Sequence, residues 1–302
     1  MCNFGRLGLA IFCCVFFLSF DARAFTQLDE IVTLKPRGEA DNRYRYVEEL
    51  LRKVLQKADI HASVTQAASD YSRDRLLQEL IIGENIQVIA EAPKPGWEEK
   101  LIPIRIPLRK GIQGFRLLLI NRQDQKALAK VENLDDLMAF PTGSGSQWST
   151  RVVMESAGFE VITSEDYETL FRMLQLRRFV TFGRGVNEAF EEQASFSGQN
   201  PDLIVEETLC IYIPLPTYFF VSPAYPELAE KIEAGLIEMI EDGSFDEHFR
   251  AFHEDDLKRA NLGSRKIFTL TNPNLSEHTP FEQSDYWFDP ASVGAVMSED
   301  GS

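Results

Sequence analysis

The chain has 302 residues, 47 of them acidic and 31 basic, with a formal net charge of −16 at pH 7. So acidic a protein is a poor partner for nucleic acid or an anionic lipid surface, and no nucleic-acid role is expected. With 44% hydrophobic and 11% aromatic residues, it holds enough apolar material to exclude intrinsic disorder as the general state.

At the N-terminus, Arg6 precedes the uncharged apolar run Leu7–Phe20, and Ala22-Arg23-Ala24 follows it. This is the pattern of a secretory signal peptide over residues 1–24, with cleavage expected before Phe25. The run is shorter than the roughly 20 apolar residues a membrane span needs. Removing it takes away a net +1, so the charge moves from −16 to −17, and Cys2, Cys13 and Cys14 leave with it. Cys210 then stands alone and no internal disulfide is possible. An exported chain without disulfides points to a bacterial periplasm. Cys210, set in Leu209-Cys210-Ile211, reads as a small buried hydrophobe.

Glu30–Leu34 reads as a first strand. Val47, Leu50, Leu51, Val54 and Leu55 make one face of a helix over 46–55. Ala62–Thr65 reads as a strand, and residues 70–81 as a helix stopped by Gly83. Ile86–Ala90, Ile102–Leu108 and Phe115–Ile120 are further strands. Such alternation implies an α/β fold with right-handed crossovers and a mainly parallel sheet.

A second set of elements follows. Asn133 caps a short helix over 134–140. Gly143-Ser144-Gly145-Ser146 leads into a helix over 149–157 that Gly158 ends, and 160–162 is a strand. In the block 166–193, Tyr167, Leu170, Phe171 and Leu174 form a helical stripe, Phe179–Phe182 a buried strand, and Gly183-Arg184-Gly185 a turn before another helix. A turn at the carboxyl end of such a strand is where open α/β sheets bind ligands. Strands at 203–205, 210–213 and 218–221 precede a helix through Leu228, Ile232, Leu236 and Ile240, stopped at Asp242-Gly243. The acidic, Gly/Ser-punctuated end from Ser284 to Ser302 is expected to fray.

Enzyme signatures are absent from the sequence: no HExxH, no GxSxG, and GSGS at 143–146 lacks the lysine of a phosphate-binding loop. No catalytic residue, cofactor or metal is expected. His248 and His253, beside Glu247, Glu254, Asp255 and Asp256, read as a solvated acidic helix face.

Several segments in order resemble the type II periplasmic solute-binding proteins of extracellular solute-binding family 3. They are IPLRKGIQGFRLLLI (106–120), NLDDL (133–137), TGSGSQW (142–148), DYETLFRMLQLRRFVTFGRG (166–185), TYFFVSP (217–223) and ELAEKIEAGLIEMIEDGSFDEHF (227–249). The resemblance implies a two-lobed clamshell with two crossing hinge strands. Lobe one would hold 25–115 and 215–302, lobe two 116–214, with crossings at 116–120 and about 213–221. The segment beyond about Lys258 exceeds the usual family length and is left unplaced.

The same resemblance implies binding of a small polar or anionic solute by hinge closure, for an ABC-type importer and its membrane permease, by a monomer. Two alternatives stay open: a ligand-sensing accessory of a signalling system, and a small-acid dehydratase-like enzyme on the same fold. By position in the family's pattern, Ser144, Gly145 and Ser146 would meet a ligand anion at the start of a lobe-two helix, with Trp148 as a wall. Amino-acid binders carry an arginine ahead of the segment matching 104–108 and an aspartate in the lobe-two turn. Here Pro95-Gly96-Trp97-Glu98-Glu99 has no arginine, and Gly183 or Arg184 stands in the aspartate's place. Arg184, with Arg105 or Arg75, is therefore expected to face an anionic or polar ligand. Glu188, after the Gly-Arg-Gly turn, is read as a salt-bridge partner of Arg184 instead of a base.

Overall fold

The computed structural model describes residues 28–34, 43–69 and 71–291. The expected signal peptide lies outside the described residues. The first elements are β1 (Glu30–Thr33), α1 (Arg43–Lys57), β2 (Ser63–Gln66), α2 (Arg73–Ile82), β3 (Val88–Glu91), β4 (Ile102–Ile104) and β5 (Phe115–Asn121). Next come α3 (Gln125–Leu128), α4 (Leu134–Met138), β6 (Thr142–Gly145), α5 (Ser149–Ser156), β7 (Val161–Ser164), α6 (Tyr167–Gln175) and β8 (Thr181–Gly185). The rest are α7 (Val186–Phe196), β9 (Leu203–Val205), β10 (Leu209–Tyr212), β11 (Tyr218–Val221), α8 (Pro226–Glu241), α9 (Ser244–Ala260) and β12 (Lys266–Thr269).

Two bodies of sheet result. In the first, β1 and β2 pair in parallel, and β11 lies antiparallel between β3 and β4. Gln87 joins these pieces: its side-chain oxygen accepts from Val32 N–H at 2.8 Å, and its own N–H donates to Val32 O at 3.1 Å. The apolar faces of α1 and α8 cover one side through Leu50, Val54, Ile232 and Leu236. Leu76 and Leu80 of α2 cover the other with Trp97 and Phe220. Gly83 ends α2 in the left-handed region (φ 78°), as its stop position requires.

The second sheet runs β12-β10-β5-β8-β6-β7, with β9 beside β5. It is mixed: β5 is antiparallel to β8, β9 and β10, whereas β6 is parallel to β7 and β8. The expectation of a mainly parallel sheet therefore fails, because β5 enters from the first sheet against the direction of its neighbours. All seven residues of β5 are buried, as a strand covered on both faces requires. The chain passes between the sheets at 105–114 and again at 213–217, where Ile213 N–H donates to Gly114 O at 2.9 Å and Leu108 N–H to Thr217 O at 2.9 Å. These connecting segments lead into β5 and β11, and the second falls within the crossing expected at about 213–221. Residues 215–302 are not all with the first sheet, since β12 pairs in parallel with β10.

Three further differences concern local structure. Residues 142–145 form β6, not the entry to a helix. The strand expected at 179–182 is displaced to 181–185, so the Gly-Arg-Gly segment is strand rather than turn. Of the end expected to fray, residues 284–288 are held by packing, and 292–302 lie outside the described residues. Trp287 Nε1 donates to Pro280 O at 2.8 Å, and Phe288 meets Phe115 edge-on at 6.1 Å between ring centroids.

Candidate functional site

β6 and β8 run in parallel, Thr142 opposite Thr181 and Gly143 opposite Phe182. Both end on one edge of the second sheet, where the chain enters α5 and α7. Ligands of open α/β sheets bind at such an edge.

Glycine in β6 answers a packing need. A Cβ on Gly143 would stand 2.3 Å from the Phe179 ring, and one on Gly145 would stand 2.5 Å from the Trp148 indole. Trp148 in turn stacks on Phe182 at 5.9 Å and 12°. Ser144 is buried, its hydroxyl donating to Gly145 O at 3.4 Å. Ser146 N–H donates to Ser164 O at 2.9 Å, while its Oγ is buried without a hydrogen-bond partner. Ser144 and Gly145 thus lie in β6 beside β8, and Trp148 meets Arg184.

Arg184 is only 3% exposed. Its Nε and Nη2 each donate to Glu192 at 2.6 Å, and Glu188 lies 3.2 Å away. Its guanidinium covers the Trp148 ring at 4.5 Å. The Tyr167 hydroxyl donates to Glu192 Oε1 at 2.7 Å. Beneath, Arg116 donates to Gly183 O at 2.8 Å and stands 3.9 Å from Glu188. Burial opposes the Arg184 charge, but Glu188 and Glu192 outweigh it and raise the pKa. Burial pushes Arg116 down to about 10, with Glu188 opposing. Two guanidiniums facing two carboxylates make a neutral cluster that ties β8 to α7.

The other expected arginines form ion pairs on the side of the first sheet. Arg105 donates to Glu98 Oε2 from Nε (3.1 Å) and Nη2 (2.8 Å). Arg75, exposed on α2, pairs with Glu79 at 3.4 Å and covers Tyr71 at 5.2 Å. Neither pairing involves the second sheet.

A cavity of about 230 Å³ opens where α1, α7 and α9 meet. Arg45 and Tyr46 of α1 and Arg109 of the first crossing form one wall. Asn187 and Glu191 of α7, with Phe252, His253 and Asp256 of α9, complete it. On α7, residues 188 and 192 reach Arg184, while 187 and 191, also one turn apart, line the cavity. The Arg109 guanidinium covers the Tyr46 ring at 4.9 Å.

His248 and His253 are 2% and 5% exposed, so both turn inward, whereas Glu247, Glu254 and Asp255 of the same helix are exposed. Both rings lie 4.7 Å from the Tyr46 ring, and His248 Nε2 contacts Tyr46 O at 3.0 Å. Burial, then Arg109 and His248, pushes the His253 imidazole down to about 3, and burial also lowers His248. Asp256 is raised by burial, with Glu191 adding to it and Arg259 opposing. The cavity wall therefore offers two cations, two carboxylates and a neutral imidazole. Sequence reasoning missed this set because it comes from four separated segments. The one local signal was Asn187 and Glu191 at helical spacing after the Gly-Arg-Gly segment.

Among the described residues, no group of three or more His, Cys, Asp or Glu is placed to hold a metal ion, and no helix is long and apolar enough to cross a membrane. Cys210 is 0% exposed in β10, and burial pushes its thiol up to about 12.

No protein-family model matches the chain, and no curated protein matches it. Solved structures do. An ancestral arginine-binding protein bound to arginine is 16% identical with a TM-score of 0.51, covering 76% of this chain and 99% of that one. An arginine transport-system periplasmic binding protein from Legionella pneumophila is 17% identical with a TM-score of 0.53, covering 74% and 99%. An ancestral amino-acid-binding protein, a precursor of cyclohexadienyl dehydratase, is 13% identical with a TM-score of 0.51, covering 75% and 95%. These likenesses identify the architecture: the chain has the two-lobed type II fold of the periplasmic solute-binding proteins.

Proposed function

We propose that the protein reversibly binds a small polar solute between its lobes, at the cavity shared by α1, α7 and α9. The observation that carries this reading is the composition of that wall. Arg45, Tyr46 and Arg109 come from α1 and the first crossing, Asn187 and Glu191 from the helix after β8, and His253 and Asp256 from the helix spanning both. Two cations and two carboxylates balance, which suits a zwitterionic or neutral polar solute better than the anion expected from Arg184. A cavity of about 230 Å³ is below the usual range for drug-sized ligands, about 300–1,000 Å³, and so suits a small metabolite. The amino-acid-binding proteins that share the fold are consistent with a solute of that class.

In this reading lobe one is built on the first sheet and lobe two on the second. The solute contacts both and favours the arrangement that brings them together, by differential affinity alone. Export through the signal peptide would place the protein in the periplasm as a monomer, delivering solute to an importer permease. Native mass spectrometry of the purified protein, followed by a thermal-shift screen of amino acids, amines and small acids, tests the reading. A binding solute at 100 times its dissociation constant should stabilise the protein by about 2.7 kcal/mol. If no solute co-purifies and none shifts the melt, the binding reading fails. If a bound solute is converted to product, the dehydratase-like alternative replaces it.

A further inference from the structure

The segment after β12 belongs to neither sheet. Leu270 N–H still follows β10, donating to Tyr212 O at 2.8 Å. The chain then crosses back over both connections between the sheets. Asn272 Nδ2 donates to Pro214 O of the second connection at 2.8 Å. Ser276 Oγ donates to Glu98 Oε2 of the first lobe at 2.8 Å, the same oxygen that Arg105 holds. Thr279 is buried beside the Tyr218 hydroxyl of β11.

The return passes over the first connection. Phe288 N–H donates to Lys110 O at 2.8 Å. The Trp287 ring lies against Gly111, where a Cβ would come within 2.6 Å of it and where φ is +71°. Tyr286 packs on the core of α1 and α8, whereas Phe288 packs on the core of the second sheet, 6.2 Å from Phe249. One segment of under 20 residues thus bonds to the backbone of both connections and is inserted into both cores.

Hinge motion in two-lobed proteins is absorbed by a few residues whose φ and ψ change. Here the two connections between the sheets are held from outside, at Lys110-Gly111 and at Pro214. We propose that residues 271–288 form a strap across the hinge that narrows the angle through which the lobes open. The strap keeps the lobes near one arrangement before any solute arrives, so solute binding requires little domain movement. Arg105, through Glu98, sets the strap's first-lobe anchor. Lys110 adds a second tie outside the strap, donating to Asp246 of α9 at 2.8 Å.

Distance distributions between nitroxide labels at Gln56→Cys on α1 and Lys130→Cys beyond α3 report the lobe arrangement, without any ligand. Cys2, Cys13 and Cys14 are replaced by serine in this background, and Cys210 is fully buried. The parent should give one narrow peak. Trp287→Ala, and separately Asn272→Ala with Ser276→Ala, should broaden it and extend it to longer distances. Should Trp287→Ala fail to fold, the milder pair decides alone. A distribution superimposable on the parent's, even with a lower melting temperature, makes the segment mere packing and overturns the proposal. Because no solute is used, this result stands apart from the fate of the solute-binding reading.

Discussion

Glu192 holds Arg184 by two hydrogen bonds at once, Nε to Oε2 and Nη2 to Oε1, each 2.6 Å long. The two residues are eight apart, so the pair ties the end of β8 to the second turn of α7. With Arg184 3% exposed, the pair's contribution is structural: one partner removed leaves the other charged and buried.

Breaking that pair should therefore cost stability first. Arg184→Ala leaves Glu192 without a cation and Glu188 with Arg116 alone, with an expected loss of about 3–5 kcal/mol, the range for removing one member of a buried ion pair. Urea denaturation of wild type and variant measures it. A loss under about 1 kcal/mol would return Arg184 to the role of an exposed or ligand-facing group.

The glycines of β6 predict a second effect. Gly145→Ala forces a Cβ to 2.5 Å from the Trp148 ring, and overpacking of this kind costs about 1–3 kcal/mol. Trp148 must shift off Phe182, so the near-ultraviolet circular dichroism should change along with the melt. An unchanged spectrum would mean that the indole does not cover Gly145.

His253 gives a pH dependence of defined sign. Its pKa falls from 6.5 to about 3 on folding. Between those values the unfolded chain binds a proton that the folded chain does not. The contribution is present above pH 6.5 and is lost as pH falls towards 3. At pH 5 the loss is about 2 kcal/mol from this group. Wild type should lose more stability than His253→Gln between pH 7.5 and pH 5, by about that amount; equal losses would place His253 in solvent.

Much of the fold was legible because its signals are local. The stripe Val47, Leu50, Leu51, Val54 and Leu55 gives α1, Gly83 stops α2, and Asn133 caps α4 by accepting from Asp136 N–H at 2.9 Å. β6 was not legible, since Gly-Ser-Gly reads as loop until the rings of Phe179 and Trp148 are known to cover it. The strap was not legible either. Trp287 and Phe288 sit in an acidic, polar stretch, and their partners Gly111 and Phe115 are distant in sequence. The site was legible only in its neighbourhood. The segment 184–192 does reach a cavity, but through Asn187 and Glu191, because the side chains one position on are committed to Arg184.

A solute bound at the junction of α1, α7 and α9 would meet Glu191 and Asp256. Isothermal titration of the solute found by mass spectrometry, into wild type, Glu191→Gln, Asp256→Asn and Arg75→Met, measures that contact. Binding should be at least tenfold weaker, about 1.4 kcal/mol, for Glu191→Gln or Asp256→Asn, and unchanged for Arg75→Met. Wild-type affinity in both cavity variants, or a loss confined to Arg75→Met, would contradict it.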